Sequence, residues 1–198
     1  MKRIIVGLTL IVGLFGFVGT AAVADDHVLT ERTLGKDDAP VTIIEYASMT
    51  CSHCASFHTE TLPQIKEKYI ETGKVKLIYR DFPFDRLGLA ASQLARCVPE
   101  KRYFGFLEVL FSQQQSWARD DNPLEALMKL ARLAGLSKGA ADACLENQAL
   151  VDEILKRRVF AEKQWKINST PSFIVGDQKV VGAVPFAEFE KAIEAAAK

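Results

Sequence analysis

The sequence is short of several things, and each shortage narrows what the protein can be. It has no surplus of either charge: 25 Lys and Arg stand against 25 Asp and Glu. That balance removes the electrostatic argument for nucleic acid or an anionic membrane surface as a partner. It has no internal repeat, no low-complexity tract and no interdomain linker. It has a single long apolar run, at the N-terminus, so the rest of the chain is expected to be soluble. Cysteine is sparse, four in 198 residues, yet a chain this long buries a sizeable core without covalent staples. Small size therefore does not explain the four.

The one apolar run reads as a leader. Lys2 and Arg3 form a basic start, Ile4 to Val18 is apolar, and Ala22-Val23-Ala24 is a small-x-small cleavage signal. The run is interrupted by Gly7, Gly13 and Gly16 and is short for a membrane span of about 20 residues. A signal peptide over 1–24, cleaved after Ala24, is preferred to a transmembrane anchor. The mature chain, Asp25 to Lys198, would then work outside the cytoplasm. An even cysteine count in an exported protein favours disulfides. Four cysteines allow three pairings; if Cys51 pairs with Cys54, as their spacing suggests, Cys97 and Cys144 are left for each other.

What is present centres on Cys51-Ser52-His53-Cys54, directly after the apolar run Val41–Ser48. A strand feeding a short turn and a helix puts Cys51 at the helix N-terminus, where free N–H groups and the positive dipole end favour a thiolate. Cys54 falls on the same helical face, within the roughly 4.4–6.8 Å Cα separation that a disulfide spans. Such a pair can hold, release and re-form one S–S bond. A purely structural disulfide is a poor alternative, because so small a loop adds little chain-entropy stabilisation.

The remaining pattern is α/β with a helical interruption. Gly35 to Pro40 reads as a turn into the strand Val41–Ser48, and the helix from Cys51 runs to about Tyr69, with Pro63 expected to kink or split it. Val75–Tyr79 is a second strand. The reactive turn thus sits at the C-terminal edge of the first strand of a βαβ unit, where open α/β sheets carry their sites. From Leu87 to Trp165 the period is helical. Leu87, Ala90, Leu94 and Val98 make one stripe, Tyr103, Phe106 and Leu110 a second, and Leu124, Leu127, Ala131 and Ala134 a third. Asn122 is placed to cap this third helix, with Pro123 at its first position. A short helix around Ser137–Glu146 and a longer one through Leu150, Ile154, Ala161 and Trp165 follow. Strand signals return at Ser172–Val175 and Lys179–Val181, and a last amphipathic helix carries Phe186, Phe189 and Ile193.

Three features together resemble the thioredoxin superfamily and, within it, the DsbA-like periplasmic disulfide oxidoreductases. They are the strand–Cys-x-x-Cys–helix of Ile43–Phe57, Thr170-Pro171 opening the hairpin at Ser172, and a helical block inserted between the βα and ββα halves. The resemblance implies a thioredoxin fold over 25–85 and 165–198 with an all-helical insertion over 86–164. It implies Cys51 as nucleophile and Cys54 as resolving thiol. Pro171 would be cis, facing the disulfide, with its backbone offering strand-like hydrogen bonds to a client peptide. Thr170 would point its hydroxyl at the Cys51 sulfur. An acidic residue occupies the place of Glu45, where a carboxylate in an apolar strand can accept a proton; Arg80 is a candidate counter-charge. His53, between the cysteines, would stabilise the Cys51 thiolate through its ring.

The implied activity is a periplasmic thiol oxidase acting on reduced exported proteins as a monomer. It would be reoxidised by a DsbB-like, quinone-linked membrane partner, with no cofactor beyond its cysteines. Two other readings stand beside it. Thr rather than Val before Pro171 is similar to the isomerase branch, against which no N-terminal dimerisation domain is seen; a non-catalytic peptide-binding module is the other. Cys51, Cys54 and His58 share one helical face and would supply three ligands to Zn²⁺, but a closed site needs a fourth, so His58 is read as a helix-surface residue. Cys97–Cys144 is read as a structural staple, worth about 4 kcal/mol on the entropy model. Tyr103, Phe104, Phe106 and Phe111 are read as core of the insertion.

Overall fold

The computed structural model describes residues 29–198; the leader assigned to 1–24 lies outside them. A five-stranded sheet runs in the order β1-β3-β2-β4-β5. The strands are β1 (Arg32–Leu34), β2 (Val41–Ala47), β3 (Val75–Asp81), β4 (Ser172–Val175) and β5 (Gln178–Val181). Only β2 and β3 pair in parallel; every other pairing is antiparallel. The central strand β2 is β-branched at Val41, Thr42, Ile43 and Ile44, which suits a sheet covered on both faces. β1 was not legible beforehand, because three residues in a polar stretch leave no alternation to read.

Side chains alternate across β2, and the two faces find different partners. Val41 and Ile43 join Phe57, Ile65, Phe173 and Phe189 in one buried cluster, with the Phe57 and Phe173 rings 4.5 Å apart. Tyr46, on the other face, packs with Phe82, Ala161, Ile167 and Ile174. Helix α8 (Gln148–Trp165) covers that second face through Ala161 and Trp165, while the C-terminal helix α9 (Phe186–Ala196) covers the first.

The helical run after the cysteines departs from a plain α-helix. It consists of α1 (Ser52–Ser56), a π segment (Phe57–Thr61), α2 (Leu62–Ile65) and a second π segment (Lys66–Ile70). The expected disturbance at Pro63 is thus spread over two wide turns. The Leu62 N–H reaches back to the Phe57 carbonyl, and a π turn gives the proline ring room that an i→i−4 ladder denies it.

Between β3 and β4 stand α3 (Arg86–Cys97), α4 (Tyr103–Ser112), α5 (Gln114–Ala118), α6 (Pro123–Leu133), α7 (Lys138–Glu146) and then α8. Asn122 caps α6 by accepting from the Glu125 N–H, with Pro123 in the first turn. Leu94, Tyr103, Leu110, Phe111, Trp117 and Leu127 form the buried centre of this block, and Phe104 is only partly buried against it. The Cys97–Cys144 disulfide joins α3 to α7 with Cα atoms 6.3 Å apart. No helix among the described residues is long and apolar enough to cross a membrane.

Helix α3 is held to the sheet by a buried ion pair. Arg96 donates to Asp81 at 2.7 Å, to the Thr30 carbonyl at 3.1 Å and to the Tyr79 carbonyl at 3.4 Å. Removing one member leaves the other charge buried and unpaired. Arg96→Leu is expected to destabilise the fold by about 3–5 kcal/mol and to lower its thermal midpoint by roughly 10 °C. Adding Asp81→Leu should recover much of the loss; melting curves of the two variants check this.

Candidate active site

The site is built on the turn between β2 and α1, and that turn is fixed from two sides. The Cys51 N–H closes it on the Ser48 carbonyl at 3.1 Å. The Thr50 hydroxyl donates to Asp85 at 2.6 Å, and Asp85 also caps α3 through the Gly88 N–H at 2.7 Å. A Cβ at Gly88 would lie 3.0 Å from both the Ser48 and Thr50 hydroxyl oxygens, so a side chain there would crowd the turn. From the opposite side, Gln114 at the start of α5 donates its amide to the Met49 carbonyl at 2.8 Å and the Cys51 carbonyl at 2.9 Å. Gln114 was not foreseen; one glutamine among three in a row carries no signal until its neighbours in space are known.

Cys51 is the N-cap of α1, and its sulfur accepts from the Cys54 N–H at 3.4 Å. Both cysteines carry free thiols, Cys51 partly exposed and Cys54 buried. Their acidities are driven apart. Cys51 falls from an ordinary 9.0 to about 5. The Cys54 side chain is the largest cause; burial works against it, and the Thr170 side chain and the backbone N–H groups of Cys54 and His53 add to it. Cys54 is pushed far above the thiol range, chiefly by burial, then by its hydrogen bond to Cys51 and by the charges of Cys51 and Glu45. One sulfur is stabilised as an anion because the other stays a donor.

The remaining residues singled out from sequence divide into those that converge here and those that do not. The Thr170–Pro171 bond is cis, and Cys51, when protonated, donates its thiol to the Thr170 carbonyl at 3.3 Å. The contact thus includes the backbone of Thr170 as well as its side chain. His53 is exposed, and its support for the thiolate comes through its backbone N–H rather than through the ring. Glu45 is wholly buried.

Two expectations are corrected. Arg80 is not the partner of Glu45: it donates to the Tyr46 hydroxyl at 2.9 Å and pairs with Glu31 at 3.3 Å. The β alternation sends Arg80 and Glu45 to opposite faces. His58 is not a helix-surface residue: it is buried, with Nε2 3.0 and 3.1 Å from the two Glu45 carboxylate oxygens. The signal was available, since His58 lies one turn after the buried Cys54 on the same face. Among the described residues no cluster of three or more His, Cys, Asp or Glu side chains could hold a metal ion.

Residues 27–195 match the family model described as Thioredoxin. The chain belongs to the thioredoxin family. Its structural neighbours are DsbA proteins: the crystal structure of alpha-DsbA1 from Wolbachia pipientis superposes with a TM-score of 0.79 at 32% identity, covering 85% of this chain and 91% of that one. The fold is accordingly the thioredoxin fold with inserted helices. Disulfide bond formation protein D of Bacillus subtilis is 26% identical over 169 residues, 83% of this chain and 76% of that protein. A Rickettsia bellii relative, named for protein-disulfide oxidoreductase activity, is 32% identical over 146 residues, 73% of this chain and 56% of that protein. This thioredoxin-family chain thus spans about half the length of the Rickettsia relatives it matches.

The depressed pKa of Cys51 sets a pH dependence. A thiol whose folded pKa lies below its unfolded value stabilises the reduced fold fully above the unfolded value and loses that contribution as pH falls through the folded one. The reduced form should therefore gain stability over the oxidised form from about pH 5 towards pH 9 and gain nothing below pH 5. Thiolate absorbance of the reduced protein should titrate with a midpoint near 5. Cys54→Ala should raise that midpoint, because it removes the largest support.

Proposed function

We propose that this chain is an extracytoplasmic thiol:disulfide oxidase of the DsbA kind, introducing disulfides into exported proteins through Cys51 and Cys54. The observation that carries the reading is the division of labour between the two sulfurs, one an anion near pH 5 and the other a buried thiol. A thiolate stabilised in the fold favours the reduced enzyme, so the oxidised enzyme tends to pass its disulfide on, with Cys51 as the exposed atom.

In the exchange, a client thiolate attacks the Cys51 sulfur of the Cys51–Cys54 disulfide. The S–S bond breaks, its electron pair leaves on Cys54, and a mixed disulfide joins client to Cys51. A second client thiolate then attacks the client sulfur of that bond, and Cys51 departs as a thiolate. The client has lost two electrons and the enzyme has gained two. Cys54 takes up one proton, while Cys51 remains an anion at neutral pH. The cis loop at Thr170-Pro171, already meeting the Cys51 thiol through the Thr170 carbonyl, is placed to accept a hydrogen bond from an extended client backbone. Reoxidation is assigned to a membrane quinone-linked partner of the DsbB kind, and the chain works as a monomer.

An isomerase or reductase would use the same atoms with a more stable disulfide, and the reduction potential separates them. Equilibration with glutathione is expected to give a value more oxidising than about −180 mV, that of protein disulfide isomerase; a value near −270 mV, as for thioredoxin, would assign the chain to reduction. Cys51→Ala should abolish oxidation of a reduced client, whereas a peptide-binding module would keep its activity.

A further inference from the structure

Burying a carboxylate on the central strand is costly unless something answers its charge or carries its proton. Glu45 is fully buried, and His58 meets both of its oxygens, at 3.0 and 3.1 Å. The imidazole is held like a slat: it stacks on Phe111 with centroids 4.0 Å apart and planes 22° apart. The Phe57 and Tyr79 rings face it at 5.5 and 6.1 Å. His58 also lines a cleft of about 370 Å³ opening to solvent, walled by Leu34, Leu62, Pro63, Phe104 and Glu108. The Glu45 charge is near enough to act on Cys54, which lies four residues before His58 on the same helical run, and His58 stands at the wall of the cleft.

The two buried phenols nearby are poor proton carriers. Tyr79, from β3, directs its hydroxyl to the Ala47 carbonyl and the Met49 sulfur, and burial raises it well above the phenol range. Burial likewise pushes the Tyr103 phenol, from α4, upwards. Lys66 and Glu108 line the cleft itself. Among the described residues that line the cleft, His58 is the one bonded to a buried carboxylate.

We propose that His58 is a positioning residue for the exchange reaction, holding Glu45 and passing protons between that carboxyl and the cleft so that the buried Cys54 gains or loses its proton in step with the disulfide. The inference rests on the oxidase reading above. When the client attacks, Cys54 leaves as a thiolate and takes a proton from the Glu45 carboxyl. Glu45 regains one from His58 Nε2, and the imidazole regains one from water in the cleft. In the reverse direction Cys54–H gives its proton to Glu45 and attacks the Cys51 sulfur; His58 carries the proton out.

Mixing the reduced protein with a symmetrical aromatic disulfide reagent separates the two sulfurs. Cys51 thiolate attacks first and releases one coloured aromatic thiolate; Cys54, once deprotonated, attacks the resulting mixed disulfide and releases the second. His58→Gln keeps a donor for Glu45 but cannot relay a proton. The first phase should stay within about twofold of wild type, and the second should slow about tenfold or more, a modest fraction of general acid–base catalysis. The pH dependence of the second phase should flatten. In the Glu45→Gln background the same change should add nothing further. An unchanged second phase, equal slowing of both phases, or multiplied losses in the double variant would overturn the proposal. If His58→Gln does not fold, heavy water decides with the wild-type protein: it should slow the second phase alone, and equal or absent slowing counts against the relay. A wild-type first phase that is slow at pH 6 would instead discredit the oxidase reading.

Discussion

The structure depends on the contact at the first turn of α1, where the Cys51 sulfur accepts from the Cys54 N–H at 3.4 Å. The two cysteines then move each other's acidity in opposite directions. Burial alone would raise both thiols. The asymmetry arises because Cys51 has somewhere else to spread its charge, the N–H groups at the start of α1 and the Thr170 side chain, whereas Cys54 is enclosed by the Met49, Tyr79 and Leu94 layer. The chemistry proposed for the pair needs that difference and nothing larger.

Holding such a contact requires a rigid turn, and the fold supplies it from elements far apart in the chain. The strand side contributes Ser48 and the inserted helices contribute Asp85 and Gln114. Pro171 arrives from the hairpin more than a hundred residues later. The inserted block is thus joined to the site by specific polar contacts, with Arg96 anchoring the same helix, α3, to the sheet. The apolar clusters on either side of β2 set the distance between these elements, and the polar contacts set their register.

Much of this was legible before any coordinates. The β-branched run of β2, the Cys-x-x-Cys spacing, the cap at Asn122 and the three apolar stripes each follow from short-range rules. β1 was hidden by its length, and α5 by its five residues of mixed polarity. Glu45 was singled out correctly as unusual, but its partner was sought on the wrong face, because strand parity was not applied to Arg80. His58 was misjudged for a related reason: if Cys54 faces the interior, a residue four positions later does too. Gln114 was beyond sequence reasoning, since its role comes only from the loop carbonyls it meets.

The different exposure of the two sulfurs has a further consequence. With no accessible surface on Cys54, every covalent adduct must hang from Cys51, so a tethered chain always leaves the enzyme from the same point. Discrimination among incoming chains then falls to the few ångströms around that atom, where residues such as Ser52 and His53 are open to solvent. Evolution can alter those side chains without disturbing the buried half of the couple. Recognition and electron transfer are thus separable traits in this architecture, although a single covalent bond serves both.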